Sequence, residues 1–403
     1  MPAPVRPWKN VAVRLGTEGS ARVLNFLLAV LGARYLGVEG WGLYWSAFSF
    51  AQVLSLLTDL GGHLTLSRSV TRLPARARHA MGTSLALKLI LSSICLILWA
   101  LAGGFPGIPI ALQAVLVGSA LLISFVEWLG FHLRGFGRVP GESVLLAIDC
   151  IGAFILGFIS LLIGTSPLGF AVTQVVAHGL VLAGSCLVLG KESNFRPLLP
   201  QAGLVWKFLR ESLPTGLAQA STMGSWRLGI MFLAVSPGAG PVVAGLYAAA
   251  HRILEAARFL PAAAAAALFP SFSQKTPGAR PIRAVIYLLP LAVLSAIIMN
   301  SHHVSSLLNH LLYGKEYANA AVLLGIIWWA FPFMTINWIV SHWLVARGRT
   351  GWNAGISVVQ LSVHAGFLFL LVPSMGIIGA GWSLVISEGF YSAASLLVLS
   401  IKR

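Results

Sequence analysis

The stretch "GLYWSAFSF" occupies residues 42–50, and "GLYAAAHRI" occupies residues 245–253, half a chain later. A tripeptide can recur by chance, but each copy here stands at the start of a corresponding apolar run. This placement indicates a duplicated unit. The second copy carries His251 and Arg252 at positions where the first copy has uncharged side chains. The sequence therefore predicts two related halves, with buried charge concentrated in the second.

The composition excludes an ordinary soluble protein. The 403 residues are 57% hydrophobic and 9% charged, whereas soluble chains carry about 25% charged residues. Apolar stretches recur from end to end, so the solvent of this chain is a lipid bilayer. The first of them contains Arg14, Glu18 and Arg22 and no clear cleavage site follows it, so we do not expect a secretory signal.

Twelve membrane spans are predicted, because a helix needs about 20 apolar residues to cross the hydrocarbon. The breaks between them contain the Gly and Pro residues typical of turns. The predicted spans lie near 12–34, 42–66, 81–103, 109–130, 144–164, 168–190, 209–235, 243–269, 285–306, 319–346, 353–373 and 377–400.

The basic residues orient these spans. If the N-terminus is cytoplasmic, most of the 27 Lys and Arg residues fall in cytoplasmic segments, and the outer segments contain only Arg34 and Lys315. This positive-inside bias predicts an even number of crossings and two cytoplasmic termini. It also accounts for the net charge of +16 without a nucleic-acid partner.

The predicted fold is all-α and polytopic, with about twelve transmembrane helices in two six-helix bundles. We expect an N-terminal bundle at 1–190, a cytoplasmic linker at 191–207 and a C-terminal bundle at 208–403. A similar layout of turns and apolar runs in 135–170 and 346–380 supports the repeat. Six crossings per half make the repeat parallel, with pseudo-two-fold symmetry around a central cavity that serves as the substrate path.

Charges inside predicted spans are the candidate site residues, since each costs about 2.5–3.5 kcal/mol at the centre of a bilayer. Arg227 has no acidic residue within a turn of its own helix, so we expect it to face a cavity. Arg14, Glu18 and Arg22 recur every four residues and share one helix face. That face is either a structural salt-bridge ladder or a cationic wall.

The eighth span contains a second charged face. His251, Glu255 and Arg258 share it, and Arg252 lies beside it. Arg252 is either a substrate contact or part of an internal ion-pair cluster. Glu18 and Glu255 are the leading candidates for ion coupling or for pairing with arginine. No metal site and no cofactor are expected, apart from coupling to H⁺ or Na⁺.

Other polar residues in the spans receive simpler interpretations. Lys88 is expected to reach the membrane interface along its aliphatic stem, and Asp59 to lie at a helix end. Trp8, Trp41 and Trp45 are expected as interface anchors. We expect core packing for His178, His364, Cys95, Cys150 and Cys186, and a place near span ends for Glu127, Asp149 and Glu388.

Four stretches resemble bacterial polysaccharide flippases of the multidrug/oligosaccharidyl-lipid/polysaccharide exporter superfamily. The first is "ARYLGVEGWGLYWSAFSFAQVLSLLTDLGG", which resembles the first helix pair of that family. The order and spacing of the motifs, which cover nearly the whole chain, make the resemblance specific. The stretches are 33–62, 212–273, 311–331 and 375–389.

The resemblance implies a function. Such a protein moves a polyprenyl-pyrophosphate-linked oligosaccharide from the inner to the outer leaflet of the bacterial inner membrane by alternating access, for polysaccharide and O-antigen biosynthesis. Arg22, Arg227 and Arg252 would contact the pyrophosphate, since a guanidinium holds phosphate oxygens in a planar fork. The implied partners are the lipid-linked oligosaccharide, membrane lipids, a polysaccharide polymerase and other assembly proteins.

Two alternatives stay open. An ion-coupled exporter of small cationic compounds, from the same superfamily, would hold its substrates with buried carboxylates, whereas the charges within these spans are mainly basic. A membrane-embedded glycan polymerase or ligase would need acid, base or metal-binding residues at a water-exposed face. The longest outer segment, near 307–318, offers only His310, Lys315 and Glu316. We therefore expect no enzyme.

Overall fold

The computed structural model describes residues 7–192, 197–200, 202–273 and 281–401. Within these residues the regular structure is helical, without a β-strand. The α-helices are α1 Pro7–Asp59, α2 Gly62–Arg72, α3 Ala77–Leu101, α4 Ile110–Gly135, α5 Val139–Leu162, α6 Pro167–Leu189, α7 Ala202–Val235, α8 Gly240–Ala257, α9 Phe259–Ser273, α10 Pro281–Asn300, α11 His302–Tyr313, α12 Ala320–Ile327, α13 Ala330–Ala346, α14 Thr350–Met375 and α15 Ile377–Ile401.

Many of these helices are long and apolar enough to cross a membrane. In the described part of the chain, eight meet this criterion, or nine if α12 and α13, which meet at 41°, form one broken span. α1 itself changes direction at Gly37, whose φ of 69° is left-handed. The part of α1 before Gly37 contains the first predicted span, and the part after Gly37 contains the second predicted span as far as Asp59, with the rest of that span lying in α2. The fold is thus all-α and polytopic, as predicted, and is consistent with twelve crossings in two bundles.

Lipid-facing surfaces explain the exposed apolar residues of these helices. On α3, for example, Ile90, Ile94, Ile97, Leu98 and Leu101 are each at least 47% exposed. They recur at three- and four-residue intervals, which place them on one side of the helix. Such a stripe would be unfavourable in water, but it is the expected surface of a helix that borders hydrocarbon. The chain is a multi-pass membrane protein.

The packing divides the chain into two compact units. The first comprises Met1–Tyr35 and Phe50–Gly216, and the second comprises Leu36–Ser49 and Leu217–Arg403. Each unit has its own apolar interior, with Leu66 and Val126 fully buried in the first and Ile339 and Val340 in the second. The six-helix bundles expected at 1–190 and 208–403, with a linker at 191–207, stay a prediction.

The two copies of "GLY" meet within the second unit. A Cβ atom added to Gly42 of α1 would lie 1.8 Å from the carbonyl oxygen of Pro241. A Cβ atom on Gly245 of α8 would lie 2.1 Å from the carbonyl oxygen of Val38. Small residues of this kind let helix backbones approach closely in membranes. The repeated motif is therefore a helix crossing, and it explains why residues 36–49 pack with the second unit.

Replacing Gly245 or Gly42 with valine should prevent this crossing. Neither backbone can yield, so we expect a loss of at least about 3 kcal/mol of stability, at the upper end of overpacking effects. Thermal unfolding of the purified protein in detergent measures the loss. Gly118→Val is the matched control, since a Cβ atom at Gly118 of α4 would meet nothing within 4 Å. Equal melting temperatures for Gly245→Val and Gly118→Val would contradict the crossing.

Candidate functional site

The candidate site is built around Arg227, near the C-terminal part of α7. Its side chain is only 2% exposed, and its Nη2 donates a hydrogen bond of 3.1 Å to Oε1 of Glu255. Arg227 is therefore paired, although its own helix has no acidic residue within a turn of it. The carboxylate comes from α8, and only the packing of α7 on α8 brings the two side chains together.

Glu255 binds more than one arginine. Arg252, one turn earlier on α8, donates from Nη1 to Oε2 of Glu255 at 2.8 Å. Arg258, just after the end of α8, places Nη2 4.0 Å from Oε1. The spacing of three residues on either side of Glu255 puts these side chains on one helix face. Three guanidinium groups thus share one carboxylate. The four residues of this arginine cluster (Arg227, Arg252, Glu255 and Arg258) have a formal surplus of two positive charges among themselves, and the carboxylate of Glu388 lies close enough to Arg258 to interact with it electrostatically.

Tryptophan rings cover the arginine cluster. The Trp45 ring lies 4.4 Å from the guanidinium carbon of Arg252 and 5.3 Å from that of Arg227. The Arg258 guanidinium lies 4.2 Å from the Trp226 ring. Cation–π contacts at such distances contribute about 0.5–2 kcal/mol each when desolvated. They stabilise surplus positive charge without neutralising it.

Trp45 and its neighbour Trp41 are not interface anchors, contrary to the prediction. They are 3% and 1% exposed, and their rings stack at a centroid distance of 5.3 Å inside the second unit. The glycine crossing of α1 and α8 brings Trp45 close to α8. The side chain of Trp8 lies outside the described residues.

Several buried polar atoms around the arginine cluster have no hydrogen-bond partner. They include Nε and Nη1 of Arg227, Nε of Arg252, Nε1 of Trp45 and both ring nitrogens of His251. Buried polar groups are nearly always paired, so such atoms need an explanation. The arginine and tryptophan atoms are all N–H donors, and a neutral histidine adds one more. The site therefore combines surplus positive charge with surplus donors, which together favour an anion.

The structure brings together some of the predicted site residues. Arg227, Arg252 and Glu255 form one cluster, and the pairing predicted for Glu255 is present. Arg22 lies on α1 in the first unit, where its side chain is exposed, and its role stays a prediction. The side chains of Glu18 and Arg14 lie outside the described residues.

Arg258 and the tryptophan rings were not predicted as site residues. The sequence already placed Arg258 on the same helix face as Glu255, and on that ground Arg258 could have been predicted as a site residue. Nothing in the sequence indicates that Trp45, two hundred residues away, covers Arg252, or that Trp226 lies against Arg258. These contacts exist only because α1, α7 and α8 pack on one another.

Lys88 was predicted to reach the membrane interface, and this is wrong. Its side chain is 2% exposed and donates hydrogen bonds to Oδ1 of Asp59 at 3.3 Å and to Oγ of Ser124 at 2.5 Å. A buried carboxylate on a neighbouring helix provides a closer partner than the interface does. Asp59 lies at the end of α1, as expected.

Several other polar residues of the spans have partners on other helices. His178 contacts Asp149 at 2.8 Å, and His364 contacts Ser225 at 3.0 Å. Glu388 is buried and accepts a hydrogen bond of 2.7 Å from the amide of Asn337. Cys95 and Cys150 are buried, whereas Cys186 is exposed. No group of three or more His, Cys, Asp or Glu side chains in the described residues has the arrangement of a metal site.

Comparison with known proteins identifies the family. Residues 7–275 match the sequence profile of the family described as "Polysaccharide biosynthesis protein". The chain belongs to this family. The match spans about two thirds of the chain, including α1, α7 and α8, and confirms the resemblance to polysaccharide flippases.

The individual proteins that match this protein do so over nearly its whole chain. It is 23% identical to a Shigella dysenteriae protein named "Putative O-antigen transporter", over 97% of this chain and 98% of that protein. An inward-facing MATE family multidrug resistance transporter of the MOP superfamily has a TM-score of 0.66 at 16% identity, covering 97% of this chain and 98% of that one. The lipid II flippase MurJ has a TM-score of 0.65 at 14% identity, covering 95% and 86%. These structures share its fold.

Replacing Glu255 with glutamine should destabilise this protein strongly. The change leaves Arg227 buried without its carboxylate, and breaking a buried pair in this way costs about 3 kcal/mol or more. The melting temperature in detergent should fall. The double variant Arg227→Met, Glu255→Gln should recover most of the lost stability, because it removes the buried charge of Arg227 as well.

Glu192→Gln provides the control. Its partner is Arg138, and both side chains are more than 40% exposed, so the change should cost less than about 1 kcal/mol. An unchanged melting temperature for Glu255→Gln, or no recovery in the double variant, would contradict the central role of Glu255.

Proposed function

We propose that this protein is a flippase for a polyprenyl-pyrophosphate-linked oligosaccharide, which it moves from the inner to the outer leaflet of the bacterial inner membrane. The observation that carries the proposal is the arginine cluster, in which three guanidinium groups share the single carboxylate of Glu255. Family membership and the Shigella relative, whose name refers to O-antigen, support a polysaccharide substrate.

The chemistry of the headgroup matches the arginine cluster. A pyrophosphate that joins a lipid to a sugar has one negative charge on each phosphate, and its free oxygens are hydrogen-bond acceptors only. The arginine cluster has two formal positive charges in surplus and unpaired N–H groups on Arg227, Arg252 and Trp45. Charge-assisted hydrogen bonds from guanidinium to phosphate are short and about twice as strong as neutral ones. Such a headgroup would satisfy both the charge and the donors.

Access to the headgroup requires a conformational change. Arg227 is 2% exposed, whereas Arg252 and Arg258 are 16% and 13% exposed. A ligand would first meet Arg252 and Arg258, and reach Arg227 only after Glu255 or Trp45 moves. This burial supports alternating access, in which the site opens to one leaflet at a time. The positive-inside bias supports cytoplasmic termini, with the headgroup entering from the cytoplasmic leaflet.

The second candidate is an ion-coupled exporter of small cationic compounds. The fold of MATE family transporters, shared by this chain, supports it equally well. A cationic substrate, however, would have to bind beside three guanidinium groups, whose charge would repel it. The charge of the arginine cluster therefore favours the flippase. The lipid-linked oligosaccharide is the proposed partner, together with membrane lipids, a polymerase and other assembly proteins.

Transport in proteoliposomes tests the proposal. The wild-type protein should move a fluorescent polyprenyl-pyrophosphate oligosaccharide between leaflets, measured by quenching of the outer-leaflet dye. Arg252→Ala and Arg258→Ala should each slow this movement by about 10-fold or more, since each removes a charge-assisted contact worth about 1.5–3 kcal/mol. Arg138→Ala, which removes an exposed arginine of the first unit, is the matched control and should transport normally.

The same vesicles distinguish the two candidates. A cationic dye should not be exported by the wild-type protein under an imposed ion gradient. Export of the dye without lipid movement would replace the flippase with the exporter. Lipid movement that is equal in wild type, Arg252→Ala and Arg258→Ala would remove the arginine cluster from the mechanism.

Binding of inorganic pyrophosphate provides a test without a lipid. Saturating pyrophosphate should raise the melting temperature of the wild-type protein, because a ligand at 100 times its Kd stabilises by about 2.7 kcal/mol. The shift should be lost in the double variant Arg252→Ala, Arg258→Ala. A shift of the same size in wild type and in that variant would show that pyrophosphate binds elsewhere.

A further inference from the structure

An open apolar groove lies in the second unit between α14 and α15, and the proposed site does not use it. Its volume is about 620 Å³, and none of the side chains that line it is charged. α14 contributes Gly351, Gly355 and Val359, and α15 contributes Phe390 and Leu397. Val359 and Leu397 are 47% and 60% exposed. The groove therefore opens to the surroundings of these membrane helices, which are hydrocarbon.

The glycines of the groove are not explained by helix packing. A Cβ atom added to Gly351 or to Gly355 would meet nothing within 4 Å. At Gly42 and Gly245, by contrast, a Cβ atom would collide with an opposing backbone. Gly351 and Gly355 are four residues apart, so they lie one above the other on the same helix face. Together they leave a channel in the surface of α14 that a hydrocarbon chain can fill.

The groove has about the length of the hydrocarbon of one leaflet. From Gly351 to Val359 it follows α14 for about 12 Å, at a rise of 1.5 Å per residue. One leaflet contributes about 15 Å, which is half of the hydrocarbon thickness of a bilayer. The acyl chain of a phospholipid spans one leaflet, whereas a polyprenyl chain is several times longer. The dimensions therefore fit a single acyl chain.

Two arginines lie at one end of the groove. The turn between α13 and α14 contains Arg347 and Arg349, whose guanidinium carbons lie 5.8 and 5.4 Å from the centre of the Trp343 ring. Trp343 packs against the same apolar interior as Ile356 and Val398. Both of these residues also line the groove. The two guanidinium groups are therefore adjacent to the end of the groove at which α14 begins.

Neither arginine of this turn forms an ion pair with another described residue. Nε of Arg347 and Nη1 of Arg349 are buried and have no hydrogen-bond partner in that part of the chain. The nearest acid along α15 is Glu388, which is bound to Asn337 and Gln360 inside the unit. The end of the groove therefore has two positive charges and unused N–H donors, which together favour an anion with oxygen acceptors.

The position of the turn adds to this preference. α14 begins at Thr350, directly after Arg349, and the N-terminus of a helix favours negative charge. The positive-inside bias predicts that this turn lies on the cytoplasmic side of the membrane. Basic pockets beside membrane helices on that side bind the anionic headgroups of lipids. An apolar groove that ends in such a pocket matches both parts of an anionic phospholipid.

We propose that the groove between α14 and α15 binds one anionic phospholipid of the cytoplasmic leaflet. One acyl chain lies in the groove along Gly351 and Gly355, and the phosphate accepts hydrogen bonds from Arg347 and Arg349. The phosphate contributes one negative charge against the two guanidinium groups. This lipid site shares no residue with the arginine cluster, and it does not depend on which substrate the protein transports.

Lipid binding measured by native mass spectrometry tests the headgroup contacts. The purified protein, stripped of lipid in detergent, should bind phosphatidylglycerol about 10-fold more tightly than phosphatidylethanolamine, whose headgroup has no net charge. The double variant Arg347→Gln, Arg349→Gln should lose this preference, because it removes both charge-assisted contacts. Arg138→Gln, which changes an exposed arginine of the first unit, should bind as wild type does. A preference that persists in the double variant would overturn the proposal.

Filling the groove tests the contact with the acyl chain. Gly355→Leu places a side chain in open space, so the melting temperature should hardly change while the affinity for phosphatidylglycerol falls about 10-fold. Gly366→Leu is the matched control. Gly366 is an exposed residue of the same helix, a Cβ atom there would also meet nothing within 4 Å, and it does not line the groove. Equal affinities of these two variants would exclude the groove as the binding site.

Photochemical labelling locates the lipid without any substitution. A phosphatidylglycerol that carries a diazirine in one acyl chain should label peptides from 351–359 and 390–398 more strongly than the lipid-facing peptide 90–101 of α3. Equal labelling of all three segments would show contact with bulk lipid only, and would overturn the proposal even if a variant did not fold.

Two other occupants would give different results. A polyprenyl pyrophosphate that displaces phosphatidylglycerol and labels the same peptides would assign the groove to the transported lipid and overturn the phospholipid site. Dimers that dissociate in Gly355→Leu, without bound phosphatidylglycerol in wild type, would assign it to a second copy of this chain. All of these measurements are made without transport. A protein that moves no oligosaccharide lipid would therefore leave this site standing, and a groove that binds no phosphatidylglycerol would leave the flippase standing.

Discussion

The sharing of one carboxylate by three guanidinium groups is the interaction on which the second unit depends. Arg227 is almost fully buried in a membrane helix, where an unpaired charge would cost several kcal/mol. Glu255 compensates that charge and at the same time orients Arg252. It cannot neutralise all three arginines, so a positive surplus remains in a nearly closed space. That surplus gives the site its chemical character, because it favours anions and repels cations.

The arginine cluster would not exist without the close approach of α1 and α8. Gly42 and Gly245 each lack the Cβ atom that would collide with the opposite backbone. Their contact allows the Trp45 ring to lie over Arg252, where its π-electrons stabilise the charge without removing it. The repeated tripeptide thus has a physical purpose. The two copies of the tripeptide meet each other, and the different residues that follow them supply an aromatic ring on one side and charge on the other.

The two units have opposite charge balances in their interiors. Arginine exceeds acid around Glu255, while carboxylates exceed the single ammonium of Lys88 around Asp59. The surplus of arginine around Glu255 suits an anionic ligand, whereas Asp59 is paired with Lys88. Helix α1 contributes a residue to both clusters, Trp45 to the first and Asp59 to the second.

The sequence by itself determined the class of the protein. Its apolar runs predicted a polytopic all-α fold, since twenty apolar residues can only be stable as a helix in lipid. Its motifs identified the family, and the cost of charge in hydrocarbon singled out Arg227, Arg252 and Glu255. These conclusions follow from local composition and spacing, which do not depend on how helices pack.

Only the tertiary structure decided which charges are paired. Glu255 lies 28 residues from Arg227 along the chain, and Asp59 lies 29 residues from Lys88. Spacing along one helix cannot reveal such partners, so the sequence indicated no partner for Arg227 on its own helix and predicted that Lys88 reaches the interface. The predicted positions of Trp45 and Trp41 were wrong for the same reason. An aromatic ring near a span end suits an interface and a buried cation–π contact equally well. Packing selects between them, since it alone places a guanidinium against the ring.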